Sequence, residues 1–442
     1  MGPGSLDLLP SSPNEWVLRR YAPSFLPAGP AHRASGSGSE SPTAATHRAW
    51  TSPVQSGMLG AMNRRLALVL GCTQTLAWAT SFYMPTVLAP TVARALDVST
   101  TALLGGFTWA LLLAALLAPV VGRWIDRHGG RDVLVLSSFI LALGLVVMAS
   151  VPNLMGWYLG WTIEGLGMAL GLYDAAFATI GRLLGSAARP CIVGVTLIAG
   201  FASTLGWPMG VALEEAVGWR ATLFVFAAIN ALINLPCVLL LVPRAIPPYP
   251  PAPAESISPH RLGVSLILLS VFLSIREAIG GVFALHVLVL FQGIGLSVAA
   301  AVATAALMGP SQVFGRILEW GFKGRLNPLV ASLLGALLLP LGVVALFLGG
   351  PAPVFIVLYG MSNGILTISR GTLPLYLFGP HGYASRLGLL ALPQMLCKAL
   401  APTLVAPLVV EWPAENIFIG MGVLAALAML CLLPLRRGPG GD

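Results

Sequence analysis

Long apolar runs separated by short polar turns dominate the hydrophobic pattern of this chain. The runs predict twelve helical spans, numbered 1 to 12, at residues 66–89, 100–121, 133–151, 154–181, 191–213, 221–242, 263–290, 297–318, 328–348, 353–378, 385–410 and 415–434. About 20 apolar residues suffice for a helix to cross the hydrocarbon core of a bilayer. The runs are continuous rather than alternating, which argues against a membrane β-barrel. The sequence therefore predicts an all-α integral membrane protein with twelve transmembrane helices.

Segments of different composition mark the limits of the folded parts. The first sixty residues are rich in Pro, Ser and Gly and lack the uninterrupted apolar core of a signal peptide, so we expect a disordered tail. A further hypothesis is that translation starts at Met58 or Met62. Repeated prolines between spans 6 and 7 predict a stiff, extended linker. The predicted organisation is a tail at 1–61, a six-helix bundle at 62–242, a cytoplasmic linker at 243–262, a second six-helix bundle at 263–435 and a C-terminal tail at 436–442.

Composition excludes several classes of protein. Of the 442 residues, 57% are hydrophobic and only 9% are charged, whereas a soluble domain carries roughly 25% charged residues. A soluble multidomain enzyme, a disordered protein and a collagen-like fibre are therefore ruled out. The formal charge of +8 comes without the basic, aromatic-interleaved stripe expected of a nucleic-acid binder. The five cysteines form no CxxC pair, so neither a disulfide framework nor a metal site is predicted, and we expect no cofactor.

The distribution of Arg and Lys predicts the orientation in the membrane. With both termini in the cytoplasm, fifteen of these residues from residue 63 onward fall on the cytoplasmic side and only Arg94 and Arg220 on the other. Such an excess is typical of cytoplasmic loops. We therefore expect an integral protein of a bacterial inner membrane with both termini cytoplasmic.

The two predicted bundles repeat each other at an offset of about 193 to 196 residues. Span 2 ends with Gly122-Arg123-Trp124-Ile125-Asp126, and span 8 ends with Gly315-Arg316-Ile317-Leu318-Glu319. Trp219 precedes span 6 as Trp412 precedes span 12. A parallel repeat of six-span halves is typical of transporters built around a pseudo-two-fold axis along the membrane normal.

The turn after span 2 resembles a family motif. It reads Gly122-Arg123-Trp124-Ile125-Asp126-Arg127-His128-Gly129-Gly130-Arg131 and is similar to the G-x-x-x-D-R-x-G-[RK]-[RK] motif of the major facilitator superfamily, with Gly130 in place of one basic residue. The resemblance covers about residues 62–435. It implies two pseudo-symmetric six-helix bundles, the MFS fold, and transport of a small solute by alternating access.

The same resemblance implies a gate at this loop. Gly122 removes a side chain where two helices must approach closely, and Asp126 with the surrounding arginines can form a charge network that opens and closes. The predicted gating residues are Gly122, Asp126, Arg127 and Arg131, with Gly315, Arg316, Glu319 and Arg325 in the degenerate second copy. The alternative is a solvated cytoplasmic turn that obeys the positive-inside rule.

Six ionisable side chains fall well within the predicted spans, and His286 lies nearer the outer end of span 7. The six are Glu164, Asp174, Arg276, Glu277, Arg370 and Lys398. Each would cost about 2.5–3.5 kcal/mol if it faced lipid at mid-bilayer. We therefore expect them to face a wet cavity or one another, with His286 as a packing residue.

Helical phase groups these side chains with other polar residues. At about 100° per residue, Glu164 shares a face of span 4 with Asp174, and Asn363 shares a face of span 10 with Arg370. In the superfamily, the helices at positions 1, 4, 7 and 10 line the central pathway. The predicted pathway for substrate and protons comprises Gln74, Glu164, Asp174, Glu277, Asn363, Arg370 and Lys398. Asp174 and Arg370 lie at matching depths, so we expect them to form an ion pair across the cavity. Such a pair could belong to the transport pathway or could serve only as a structural lock.

Chemistry suggests a role for each charge. A carboxyl group in a partly dry cavity can exchange a proton near neutral pH, which makes Glu277 the first candidate for a proton carrier, before Asp174 and Glu164. Arg370 keeps its charge and offers a planar fork for an anion, with Lys398 as a second cation. Arg276 adjoins Glu277, and since neighbours on a helix do not share a face, one of them should pair with another helix or snorkel.

The leading hypothesis is a secondary active transporter and not an enzyme. No nucleotide-binding loop G-x-x-x-x-G-K-[ST] occurs in the sequence, so direct use of ATP is excluded. We expect a monomer that moves a small organic solute, leaning to a monocarboxylate-like organic anion, with protons as the coupling ion. The alternative is an efflux antiporter for drugs or toxicants, favoured by the antiporter-like remnant at 206–210. A membrane sensor that does not transport and a membrane-embedded enzyme are more distant alternatives.

Overall fold

The computed structural model describes residues 53–244, 259–322 and 326–435, and among these residues there are helices and no strands. Most of the predicted linker and both ends of the chain lie outside the described residues, as does the C-terminal tail at 436–442. The first helix begins at Pro53 and the helix of span 7 begins at Pro259, both earlier than the predicted bundle limits.

Each predicted span coincides with helical residues. The N-terminal half contains Pro53–Thr80 and Met84–Ala95 (span 1), Thr100–His128 (span 2), Arg131–Ser150 (span 3), Leu154–Gly171 and Tyr173–Leu184 (span 4), Arg189–Ala199 (span 5), Ala202–Ile229 (spans 5 and 6), and the π-helical Asn230–Asn234 with Leu235–Leu241 (span 6). The C-terminal half contains Pro259–Gly293 (span 7), Val298–Ala306 and Met308–Gly321 (span 8), Pro328–Phe347 (span 9), Ala352–Phe378 (span 10), Tyr383–Glu411 (span 11) and Ala414–Leu430 (span 12).

Two local interruptions shape the N-terminal half. Gly218 has a φ of +78°, a conformation that only glycine adopts without strain, and the chain turns there from span 5 into span 6. In span 4, Leu172 is extended, with a ψ of −169°, and separates the two helices of that span. The break puts Asp174 in the first turn of the second helix, where unpaired backbone N–H groups favour a negative charge.

The outer surface of the helices suits a lipid environment. By length and hydropathy alone, eight helical stretches of the described residues could cross a membrane, and one of them, Leu154–Leu241, contains spans 4 to 6. Ala414–Leu430 is a shorter apolar helix. Large apolar side chains point outward, for example Leu240 and Leu404, which are 75% and 71% exposed. All five cysteines are free thiols.

The two halves have their own apolar cores and meet at one end of the molecule. One core cluster of the N-terminal half extends across to Tyr383 and Leu387 at the start of span 11. Spans 2 and 11 are so close that a Cβ atom on Gly122 would clash with the carbonyl of Ala384, and one on Gly388 with the carbonyl of Ala118. We call this the basic end, because it carries the arginine-containing turn between spans 2 and 3.

Candidate functional site

An ionic cluster lies where spans 4, 7, 10 and 11 converge. Nη2 of Arg370 is 2.5 Å from Oδ2 of Asp174, and its Nη1 is 3.9 Å from Oε1 of Glu277. Glu277 also contacts Nη1 of Arg276 at 2.5 Å and Nζ of Lys398 at 3.4 Å. The expected pair between Asp174 and Arg370 is therefore present, and it is part of a larger network.

The cluster contains more positive than negative charge. Three cations, Arg276, Arg370 and Lys398, face two carboxylates, Asp174 and Glu277, so the formal charge with every group ionised is 3 − 2 = +1. Four of the five side chains are at most 13% exposed, and Lys398 is 28% exposed. Since a buried charge is costly unless it is paired, the cluster is suited to receive one further negative charge.

Arg276 connects span 7 to span 10 as well as to Glu277. Its Nη2 donates to Oδ1 of Asn363 at 2.6 Å and to Oγ1 of Thr367 at 3.2 Å. The prediction that one of the two neighbours would pair with another helix agrees with these contacts, and Arg276 contacts Glu277 as well. The arginine side chain is long enough to fold back to Glu277 while its other N–H groups reach the polar face of span 10.

A central cavity adjoins the cluster. It has a volume of about 30 Å³ and is bounded on the charged side by Asp174, Glu277, Arg370 and Lys398. A single water molecule needs roughly 10–15 Å³ of such space, so the cavity holds about two waters and no organic solute. An organic solute would therefore need the cavity to widen before it could bind.

Another part of the cavity wall is aromatic. The ring centroids of Trp78 and Phe82 are 4.9 Å apart, as are those of Trp78 and Tyr173. Nζ of Lys398 lies 4.8 Å from the centroid of Phe82, so the face of that ring is directed at the ionic cluster. The role of Phe82 and Tyr173 was missed from the sequence, although the four-residue spacing of Trp78 and Phe82 was a usable signal.

The loop predicted as a gate joins the two halves at the basic end. The carboxylate of Asp126 accepts hydrogen bonds from Ser385 N at 2.7 Å, Ser385 Oγ at 2.5 Å and Ala384 N at 3.2 Å. These donors are in the first turn of span 11, where backbone N–H groups have no partner within the helix. Arg131 instead donates to the carbonyl of Leu239 in span 6, and Arg127 is exposed.

The second copy of the loop motif joins span 8 to span 5. Arg316 donates to the carbonyl of Thr196 at 3.2 Å, and Glu319 forms an ion pair with Arg189 at 3.5 Å. Gly315 packs against Met361 within the C-terminal half. Arg325 lies outside the described residues. The two copies therefore contact pseudo-equivalent partners, spans 11 and 5, in opposite halves.

Comparison with known proteins identifies the family of this chain. A family model described as Major Facilitator Superfamily matches residues 69–402. The chain belongs to this superfamily. Its members are transporters, and the all-helical fold described above is that of the family.

Individual relatives in the superfamily include a human protein and two solved structures. The chain is 31% identical over 316 residues to monocarboxylate transporter 11 of Homo sapiens, an alignment that covers 67% of this chain and 66% of the relative. The crystal structure of the human organic anion transporter MFSD10 (TETRAN) superposes with a TM-score of 0.66 at 18% identity, covering 84% of this chain and 99% of that one. The proton:xylose symporter XylE superposes with a TM-score of 0.64 at 15% identity, covering 86% and 97%.

Three predicted pathway residues of this superfamily member, Gln74, Glu164 and Asn363, do not border the cavity. Nε2 of Gln74 donates to the carbonyl of Gly171 at 2.6 Å, where the break in span 4 removes the usual helical partner. Glu164 is fully buried against Gly144 of span 3, and neither carboxylate oxygen has a hydrogen-bond partner among the described residues. Glu164 does not share a face with Asp174, because the helix is interrupted between them at Leu172.

His286 joins spans 7 and 11. A ring nitrogen of His286, Nε2, lies 3.0 Å from the carbonyl oxygen of Pro402. This contact fits the packing role expected from the sequence. His286 makes no ion pair with the cluster residues described above.

Proposed function

We propose that this protein is a secondary active transporter that carries monovalent organic anions together with protons. The observation that supports this most is the buried excess of one positive charge in the cluster of Asp174, Arg276, Glu277, Arg370 and Lys398. A monoanion would be attracted to that excess and would offset the additional positive charge of a bound proton, whereas a neutral solute or a cation would not. The names of two similar proteins, a monocarboxylate transporter and an organic anion transporter, point in the same direction.

Arg370 is the proposed anchor for the anion. Its guanidinium borders the cavity and offers parallel N–H groups that match a carboxylate. Lys398 is the most exposed cation of the cluster, at 28%, and its ammonium group can move towards an incoming anion. The solute carboxylate would thus be held by two side chains from spans 10 and 11.

Asp174 is the proposed proton carrier, ahead of Glu277, which the sequence favoured. Glu277 contacts three cations, and removal of its charge would leave two of them, Arg276 and Lys398, without a carboxylate. Asp174 contacts Arg370 alone among the ion pairs of the described residues. A proton on Asp174 would free Arg370 for the solute, which makes proton binding and anion binding mutually supportive.

The charge balance of such a cycle is favourable. Binding of one proton and one monoanion leaves the formal charge of the cluster at +1, the value of the empty cluster. Empty and loaded carriers would then expose the same charge to the membrane interior, where each unit charge is costly. Release of Arg370 from Asp174 would also loosen the contact between spans 4 and 10, which is how solute and proton could promote opening at the basic end. With both termini in the cytoplasm, that end faces the cytoplasm.

Flux in proteoliposomes tests the proposal. Purified protein is reconstituted, and uptake of labelled lactate is compared with uptake of neutral xylose, with and without an inward proton gradient. We expect lactate uptake above that of protein-free vesicles, stimulation by the gradient, and no xylose uptake. Phe139→Leu, a change at a 55% exposed position away from the cavity, should behave like the unaltered protein. Equal uptake of lactate and xylose, or lactate uptake indifferent to the gradient, would contradict the proposal.

A further inference from the structure

The aromatic wall of the cavity contains a hydrogen-bond donor that the protein leaves unused. Trp78, Phe82 and Tyr173 all border the cavity. Nε1 of Trp78 is buried and has no hydrogen-bond partner among the described residues. An N–H group buried without an acceptor destabilises a fold, so its retention beside a cavity points to a ligand atom that satisfies it.

We propose that the anion carried by this protein is an aromatic monocarboxylate, with its carboxylate on Arg370 and Lys398 and its ring against Trp78, Phe82 and Tyr173. The inference rests on the proposed function and narrows its substrate class. It combines two features of one cavity: the cations Arg370 and Lys398 from the C-terminal half and an aromatic wall from the N-terminal half. A solute that satisfies both must carry one negative charge at one end and a π-system at the other.

The aromatic wall is held in place before any solute binds. Tyr173 is stacked on Phe177, with centroids 5.1 Å apart and an interplanar angle of 12°. Phe107 packs edge-on against Phe82 at 5.3 Å. Rings fixed in this way lose little conformational freedom on binding, and they favour offset or edge-to-face contact with another ring over contact with an aliphatic group.

Lys398 connects the two walls. Its ammonium group lies over the face of Phe82 at 4.8 Å from the centroid, while it also contacts Glu277. A solute carboxylate that binds Lys398 would draw the ammonium group away from Phe82. The face of Phe82 would then be open to the solute ring, so carboxylate binding and ring binding would support each other.

The test compares three anions that differ in one feature at a time. Binding of 3-phenyllactate, 3-cyclohexyllactate and lactate to the purified full-length protein is measured by calorimetry at the same pH. The phenyl and cyclohexyl compounds have similar size and the same charge, and the cyclohexyl group is the more hydrophobic. We expect 3-phenyllactate to bind about 3- to 10-fold more tightly than 3-cyclohexyllactate, the range of a specific aromatic contact.

Variants locate the preference. Phe82→Leu should remove most of the preference for the phenyl compound, whereas Phe139→Leu should leave the preference unchanged. Trp78→Phe should keep the preference for phenyl and weaken all three hydroxy acids if the indole N–H binds a solute oxygen. If Phe82→Leu does not fold, the comparison of the three anions on the unaltered protein decides alone.

The outcomes separate the two proposals. Equal or tighter binding of 3-cyclohexyllactate, together with measurable lactate binding, would overturn the aromatic preference and leave organic-anion transport intact. Failure of all three anions to bind would overturn the proposed function itself. A phenyl preference that persists unchanged in Phe82→Leu would also overturn the inference, because the ring would then bind elsewhere.

Discussion

Arg370 of span 10 and Asp174 of span 4 form an ion pair at 2.5 Å although they are 196 residues apart in the sequence. That separation is close to the offset of the internal repeat, so the two residues lie at corresponding depths in the two halves. Residues related by a two-fold axis can touch only if both lie close to it. The pair therefore lies near the pseudo-two-fold axis. Two like charges at these positions would repel each other, whereas the opposite charges of Asp174 and Arg370 hold the two halves in contact.

Removal of the charge of Asp174 should uncouple transport from protons. Asp174→Asn leaves Arg370 with only its longer contact to Glu277 whether or not a proton is available. We therefore expect lactate uptake driven by a pH gradient to fall to background while exchange of internal for external lactate persists. Asp132→Asn, which alters a 70% exposed side chain outside the cluster, is the control. If Glu277→Gln abolishes gradient-driven uptake and Asp174→Asn does not, the proton belongs to Glu277.

Replacement of Arg370 by lysine tests the anion anchor. Arg370→Lys keeps the positive charge but removes the fork, which should cost about 1.5–3 kcal/mol, or roughly 10- to 150-fold in lactate affinity. Direct titration of lactate into the purified variant measures this. A loss of less than about 2-fold, well below that range, would show that the guanidinium does not hold the anion and would leave Arg370 as a structural lock between the halves.

Asp126 should control the opening of the basic end. Asp126→Asn weakens three hydrogen bonds to span 11, and we expect the population open at this end to rise roughly 5- to 150-fold, corresponding to about 1–3 kcal/mol. Distances between spin labels at the exposed positions Arg123 and Leu389 report the opening. Ser385→Ala removes one of the three bonds and should give a smaller shift. An unchanged distance distribution in both variants would show that the loop is a solvated turn that does not control the opening.

Glu164 should be dispensable for transport. Its carboxyl group is fully buried without a partner among the described residues, so Glu164→Met, which has a similar volume, should raise the free energy of unfolding by about 1–3 kcal/mol and retain lactate uptake. Thermal unfolding of the purified variant measures the gain. Glu164→Gln keeps a buried polar group and should stabilise less. Loss of lactate uptake in both variants would show that Glu164 takes part in transport, as the sequence predicted.

The residues of the ionic cluster could be named from the sequence, but their contacts could not. Charged side chains inside apolar spans are conspicuous, because each is unfavourable in lipid, and this reasoning identified Asp174, Glu277, Arg370 and Lys398. The same reasoning included Glu164, and the grouping by helical phase added Gln74, but both lie elsewhere. The helical phase used to group Glu164 with Asp174 assumes an unbroken helix. The helix is interrupted at Leu172, so the predicted common face does not exist.

What the sequence determined by itself is the set of spans, the repeat and the superfamily, because the free energy of burying an apolar run in a membrane is nearly additive along the chain. What only the tertiary structure decided is which side chains meet. The excess positive charge beside an aromatic wall depends on how spans 1, 4, 7, 10 and 11 pack, and the residues involved come from distant parts of the chain. Contacts such as Lys398 with Phe82 arise from distances of a few ångströms between helices, and no local pattern of residues encodes them.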